Sequence, residues 1–186
     1  MKVLLAGAPG SGKGTQAALL ADELQVPHIT SGGLVRHEIA AGSPAGLAAR
    51  RAVARGALVP DEVLVEVLRP ALALAESRGG YVLDGFPRTV AQAETLGGVV
   101  TASGPPLDVV VHLDVPTAVL TERLLARGRA DDDAAVIEHR LAVYRAQTLP
   151  MLDWYAQRQQ LVVVAGDGTV EGVSAGVVRA LRERPR

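Results

Sequence analysis

The chain has 186 residues, enough for one domain that buries roughly 70% of the surface its unfolded form exposes. Its net charge of −1 excludes a global basic field of the kind that draws a protein onto nucleic acid or an acidic membrane, so any anion site must be local. Cysteine is absent, which excludes disulfides, thiolate chemistry and a cysteine-bearing zinc site.

Val3 to Ala6 reads as a buried strand that runs directly into a glycine-rich loop, without the longer apolar region of a signal peptide. No window reaches the length of a membrane span, so a cytoplasmic protein is expected. The loop opens a helix over Lys13 to Leu24, and a weaker strand follows near His28 to Thr30. Residues 31–59 hold helical stretches and no strong strand, which predicts a helical insertion able to close over a ligand. Further helices are expected at Asp61 to Ala75, Val90 to Leu96, Thr117 to Ala126, Ala134 to Gln157 and Val170 to Arg182. Strands at Tyr81 to Leu83, Val109 to Leu113 and Leu161 to Val164 alternate with them, and turns fall at Gly79-Gly80, Gly104-Pro105-Pro106 and Gly166-Asp167-Gly168. The alternation predicts an α/β fold: a parallel sheet of about five strands with helices on both faces.

The loop itself, Gly7-Ala8-Pro9-Gly10-Ser11-Gly12-Lys13-Gly14-Thr15, follows a strand and precedes a helix. In that setting backbone N–H groups converge on phosphate oxygens at the positive helix end, and Lys13 reaches the β and γ phosphates of a nucleoside triphosphate. Thr15 supplies a hydroxyl for Mg²⁺, one place later than the strict pattern because Gly14 intervenes. Only Lys2 and Lys13 are lysines among the 19 basic residues, leaving 17 arginines, so each arginine role needs a motif of its own. Asp84 ends an apolar strand beside the loop, where its carboxylate orders water around Mg²⁺ or, more plainly, caps the next turn.

Gly7 to Gln16 closely resembles the corresponding loop of the adenylate kinases. Asp84-Gly85-Phe86-Pro87-Arg88-Thr89 with Gln92, then Asp114-Val115-Pro116, Gly128-Arg129-Ala130-Asp131-Asp132, Arg140-Leu141 and Asp167-Gly168-Thr169, fall in that family's order across the whole chain. The resemblance implies a P-loop core formed by residues 1–29, 60–126 and 134–186, a nucleoside-monophosphate-binding insert over 30–59 and a lid over 127–133. It implies the reaction of ATP with Mg²⁺ and AMP to give two ADP, in a monomer that needs neither zinc, nucleic acid nor membrane.

By the same resemblance Gly10, Ser11, Gly12, Lys13, Gly14, Thr15, Arg123, Arg127 and Val170 bind ATP, with Arg123 stacking on its adenine. Ser31, Arg36, Val59, Gly85, Arg88 and Gln92 bind AMP, the two arginines gripping its phosphate and the Gln92 amide reading adenine. Arg127, Arg129 and Arg140 clamp the transferring phosphoryl, the last two also reaching AMP, and Lys13, Arg88, Arg129, Arg140 and Asp84 form the catalytic set. Plain packing for Val59, a solvated helix face for Arg123 and Arg127 beside Glu122, and helix-end stabilisation for Asp131 to Asp133 are the ordinary alternatives.

Thr89 stands where UMP/CMP kinases usually carry Asn, which favours AMP. Two departures remain: Gly33 replaces the family's usual Asp, and the lid is shorter than in the family's short forms. They leave a UMP/CMP kinase and a nucleotide-binding regulatory module with little turnover as competing readings. The four histidines, His28, His37, His112 and His139, show no ligand spacing and receive no role.

Overall fold

The structure is a computed structural model, and it describes residues 1–99, 107–128 and 133–184. Five strands form one parallel sheet in the order β2-β3-β1-β4-β5: β1 is Lys2–Gly7, β2 His28–Thr30, β3 Tyr81–Asp84, β4 Val109–Asp114 and β5 Leu161–Ala165. β1 is central, with Leu4 opposite Leu83 of β3 and Leu5 opposite Val111 of β4.

Because side chains alternate along a strand, β1 feeds two cores. Leu4 and Ala6 pack on one face with Leu68, Leu72, Phe86, Leu96 and Met151, while Val3 and Leu5 pack on the other with Ala17, Leu20, Val173 and Val177. That double burial explains the unbroken apolar runs of β1 and β4. The edge strand β5, half-covered, alternates between intermediate and exposed residues.

The helices are α1 (Lys13–Leu24), α2 (Ser31–Ala41), α3 (Pro44–Ala54), α4 (Asp61–Glu76), α5 (Val90–Val99), α6 (Thr117–Arg127), α7 (Ala134–Val143), α8 (Leu149–Ala156) and α9 (Val170–Glu183). The expected insertion is built of two helices, α2 and α3, joined at Gly42 with Ser43 capping α3 by accepting from the Gly46 amide, and it ends in a turn and a non-helical stretch after Ala54. Asp133 caps α7 through the Ala135 amide at 2.9 Å, which is the helix-end role of that acidic run. Asp131 and Asp132, like Arg129 and the Gly104-Pro105-Pro106 turn, lie outside the described residues.

One expectation needs correcting. The helix foreseen over Ala134 to Gln157 is interrupted by a π-helical stretch, Tyr144–Thr148. Pro150 has no N–H to give the carbonyl of Ala146, and widening the turn ahead of it lets the helix continue. Past β1 the chain crosses first toward β3 and β2 and later toward β4, so a crevice opens at the C-terminal ends of these strands, where ligands bind in open α/β sheets.

Candidate active site

The crevice is a cleft of about 670 Å³ whose floor is the β1–α1 loop. Gly10 holds φ at +85°, and a Cβ there would lie 2.9 Å from the Leu120 carbonyl oxygen and 3.0 Å from Leu124 Cγ, so α6 presses directly on the loop and only glycine fits. Ser11 is buried beneath the loop, its amide closing a turn onto the Ala8 carbonyl at 3.1 Å. Lys13 Nζ donates to the carbonyls of Gly7 at 2.9 Å and Ala8 at 2.8 Å. Burial pushes its pKa down to about 8, opposed by Asp84 and reinforced by Arg88, Arg140 and Arg127.

Lys13, Arg36, Arg88, Arg123, Arg127 and Arg140 all line this cleft, and Asp84 is the one acidic residue among its described lining. Six cations against one carboxylate make a strongly positive hollow in a chain whose net charge is −1. Such a hollow selects polyanions.

Two of the arginines are fixed by bonds to backbone carbonyls. Arg88 Nε donates to the Gly85 carbonyl at 2.6 Å, which leaves the terminal nitrogens to face the cleft, and burial lowers its pKa. The Gln92 Oε1 accepts from the Arg88 amide at 2.7 Å, and Gln92 Nε2 donates to Asp61 Oδ1 at 2.6 Å. Gln92 is thereby buried behind Arg88 rather than on the cleft wall. Arg123 Nη1 donates to the Gly166 carbonyl at 2.9 Å, tying α6 to the turn after β5, and Thr169 ends that turn by capping α9 at Gly172. Arg140 lines the same cleft, and its charge acts on both Lys13 and Arg88.

Of the remaining expected site residues, Gly12, Gly14, Thr15 and Gly85 line the cleft. Ser31 is buried against Gly85, and the partly buried Val59 side chain packs against the core. Val170 does not reach the cleft. Its carbonyl accepts from Gln16 Nε2 at 2.9 Å, and its side chain lies over a separate groove of about 710 Å³ between α1 and α9, beside Leu19 and Val178. That groove is open and largely apolar, with none of the cleft's converging cations.

The sequence did not single out His28, Gly56, Tyr144 or Thr148, which also line the cleft, nor Asp61, the partner of Gln92. His112 is buried on β4 with Nε2 2.9 Å from Tyr144 Oη, and burial lowers its pKa. None of these has a signature in spacing, since each partner is supplied by a distant element. The one available signal was a polar residue within the apolar run of β4.

A family model described as adenylate kinase matches residues 5–160. Adenylate kinases of Xanthomonas campestris pv. campestris (strain 8004), Xanthomonas oryzae pv. oryzae (strain MAFF 311018) and Xylella fastidiosa (strain 9a5c) are 46%, 45% and 44% identical to this chain. Each alignment covers 97% of this chain and 99% of the relative. The chain belongs to the adenylate kinase family. Membership makes it a nucleoside monophosphate kinase.

The departure at Gly33 has a visible neighbour. A Cβ at this position would lie 2.7 Å from the Thr30 methyl, so the space where an adenylate kinase usually carries the first carbon of an aspartate is filled by Thr30. A carboxylate in the first turn of α2 should by itself be favourable, which makes the sign of its effect diagnostic. Gly33→Asp is expected to lower the melting temperature by on the order of 5 °C through overpacking against a stiff β-branched side chain. Thr30→Ser combined with Gly33→Asp should recover it. A single variant as stable as the wild type in a thermal melt contradicts this account.

Proposed function

We propose that the cleft is the two-nucleotide site of an ATP:AMP phosphotransferase, interconverting ATP plus AMP and two ADP. The observation that carries this is the distribution of its cations. Lys13 belongs to the P-loop, Arg36 and Arg88 come from the insert and the loop after β3, Arg123 and Arg127 come from α6 after β4, and Arg140 comes from α7, with its charge acting on both Lys13 and Arg88. One polyphosphate would engage only part of such a set.

In this reading the amides at the start of α1 and Lys13 hold the donor's phosphates, Arg123 and Arg127 its outer side, and Arg36 with Arg88 the acceptor's phosphate. Phosphoryl transfer asks the protein chiefly to align the two nucleotides and to stabilise charge on the equatorial oxygens of the moving group, the task of Arg140 and, from the lid, Arg129. Residues 30–59 act as the insert and 127–133 as the lid. The Gln92 amide reads the acceptor base by exchanging its hydrogen bonds to Asp61 and Arg88 for bonds to adenine. Val170 contributes at the edge of the donor site through its backbone, if it moves with the Arg123-bound turn.

Mg²⁺ fits the residues present. The Asp84 carboxylate lies 3.6 Å from the position of a Cβ on Gly14, Thr15 lines the same cleft, and both carry hard oxygen donors. Among the described residues no group of three or more His, Asp or Glu could hold a metal alone, as suits an ion bound mainly by phosphates and water. Bound there with ATP, Mg²⁺ would neutralise phosphate charge. The enzyme acts as a cytoplasmic monomer on ATP, AMP and ADP; no described helix is long and apolar enough to cross a membrane.

A coupled assay of ADP formation with ATP, Mg²⁺ and each of AMP, UMP and CMP tests the reading. AMP should be preferred by about 100-fold or more in kcat/KM, because a site built to hydrogen-bond one base rejects others strongly. Preference for CMP would replace the acceptor assignment, and binding of ATP without ADP formation would favour a regulatory nucleotide-binding module.

A further inference from the structure

Gly56 follows the last turn of α3, at the end of the insert, with φ at +68°. It lines the active cleft together with Arg140, although 84 residues separate them in the chain. A Cβ on Gly56 would lie 2.8 Å from Arg140 Cγ, 3.4 Å from Arg140 Cδ and 3.1 Å from Val136 Cγ1. The stem of the arginine therefore rests against the bare α-carbon of the insert. Contact at Cγ and Cδ constrains the first torsions of the side chain, and these decide where the guanidinium points. Both Lys13 and Arg88 feel that guanidinium, so its direction matters at the junction of the two half-sites.

We propose that Gly56 is a positioning residue: it seats the Arg140 stem when the insert lies against α7, so that the insert aims the arginine at the transferring phosphoryl. The inference rests on the phosphotransferase reading of the cleft. It couples acceptor enclosure to assembly of the clamp, because the surface that completes the seat is carried by the insert. A side chain at this position would leave the arginine misdirected or the insert held away from it.

Gly42 provides a matched control. It ends the other helix of the insert with φ at +67°, and a Cβ there would meet nothing within 4 Å. Gly42→Ala and Gly56→Ala thus impose the same left-handed backbone on alanine, and only the second collides with Arg140. Both should lower the melting temperature of the full chain, Gly56→Ala by more because its Cβ also meets Val136 and the arginine stem, so kcat is compared at a temperature where both remain folded. At saturating ATP and AMP, Gly42→Ala should keep kcat within twofold of wild type, while Gly56→Ala should lose about 10- to 100-fold, with KM for ATP little changed. In an Arg140→Ala background the stem is gone beyond Cβ, and adding Gly56→Ala should cost less than twofold in the residual kcat.

The proposal fails if Gly56→Ala and Gly42→Ala share the same kcat. It fails equally if the Gly56 substitution costs the same factor with and without the arginine, or if it raises only KM for AMP, as a merely structural change in the insert would. An Arg140→Ala enzyme as fast as wild type would instead overturn the role of Arg140 itself, and the seat with it.

Discussion

Lys13→Met is expected to remove at least about 10³-fold of the turnover while making the nucleotide-free protein more stable at pH 7. The two effects have one origin. The ammonium group is charged and buried among Arg88, Arg140 and Arg127, with Asp84 as its opposing charge, and its pKa is pushed down to about 8. A charge kept at a disadvantage in the nucleotide-free protein is available to stabilise a triphosphate, which brings compensating negative charge to the same place. Methionine keeps the stem and drops the charge.

The pH dependence follows from linkage. Between pH 8 and the ordinary lysine value of 10.5 the unfolded chain still holds a proton that the folded protein has released, so stability rises with pH across that window. Below it both states are protonated and the penalty, on the order of 3 kcal/mol, is complete. Thermal melts should therefore show Lys13→Met several degrees above wild type at pH 7, with the gap closing toward pH 10. Tyr144, pushed up to about 12 by burial and Asp114, works in the opposite direction only above pH 10 and does not disturb the comparison. A wild type with the higher melting temperature at pH 7 would rule out the burial argument, and substantial turnover in the variant would rule out the donor role.

What the chain's order reveals is governed by how local the cause is. Strand β1, the loop after it and α1 are consecutive, so their apolar run, glycines and lysine declare the phosphate cradle without any tertiary information. The same holds for Thr169, whose hydroxyl caps a helix three residues on. Arg140 is different. Its charge near Lys13 and Arg88, and its stem against Gly56, depend on how α7 packs against an insert some eighty residues earlier.

Gln92 shows a further limit. A motif assigns it to an adenine, whereas its fold position gives both ends of the amide to Arg88 and Asp61, a competition visible only once α4 and α5 are side by side. The widened turn before Pro150 was foreshadowed by the proline itself, but an otherwise continuous helical pattern concealed that the chain would accommodate it by a π-helical turn. Val170 is assigned by resemblance, whereas its carbonyl's bond from Gln16, which ties α9 to α1, is tertiary and has no signature in the sequence.

Arg88→Ala should cut kcat/KM for AMP by about 10³-fold or more, and Arg88→Lys should recover little of it. The guanidinium performs two tasks at once: Nε donates to the Gly85 carbonyl at 2.6 Å, and the remaining nitrogens stay free to meet a phosphate in parallel. A lysine has a single nitrogen at its tip. If it bonds Gly85 it cannot reach forward, and if it reaches forward it loses the anchor that fixes its direction. KM for ATP should change less than KM for AMP, because in the proposed arrangement Lys13 and the amides at the start of α1 hold the donor's phosphates. Burial lowers the Arg88 pKa, so its charge, like that of Lys13, is held at a cost in the folded protein, and the alanine variant should melt within a few degrees of wild type. Steady-state kinetics with each substrate varied in turn separate these outcomes. Equal losses for ATP and AMP would show that Arg88 serves the transferring group and not the acceptor, and a lysine variant with wild-type kcat/KM would show that one point charge suffices.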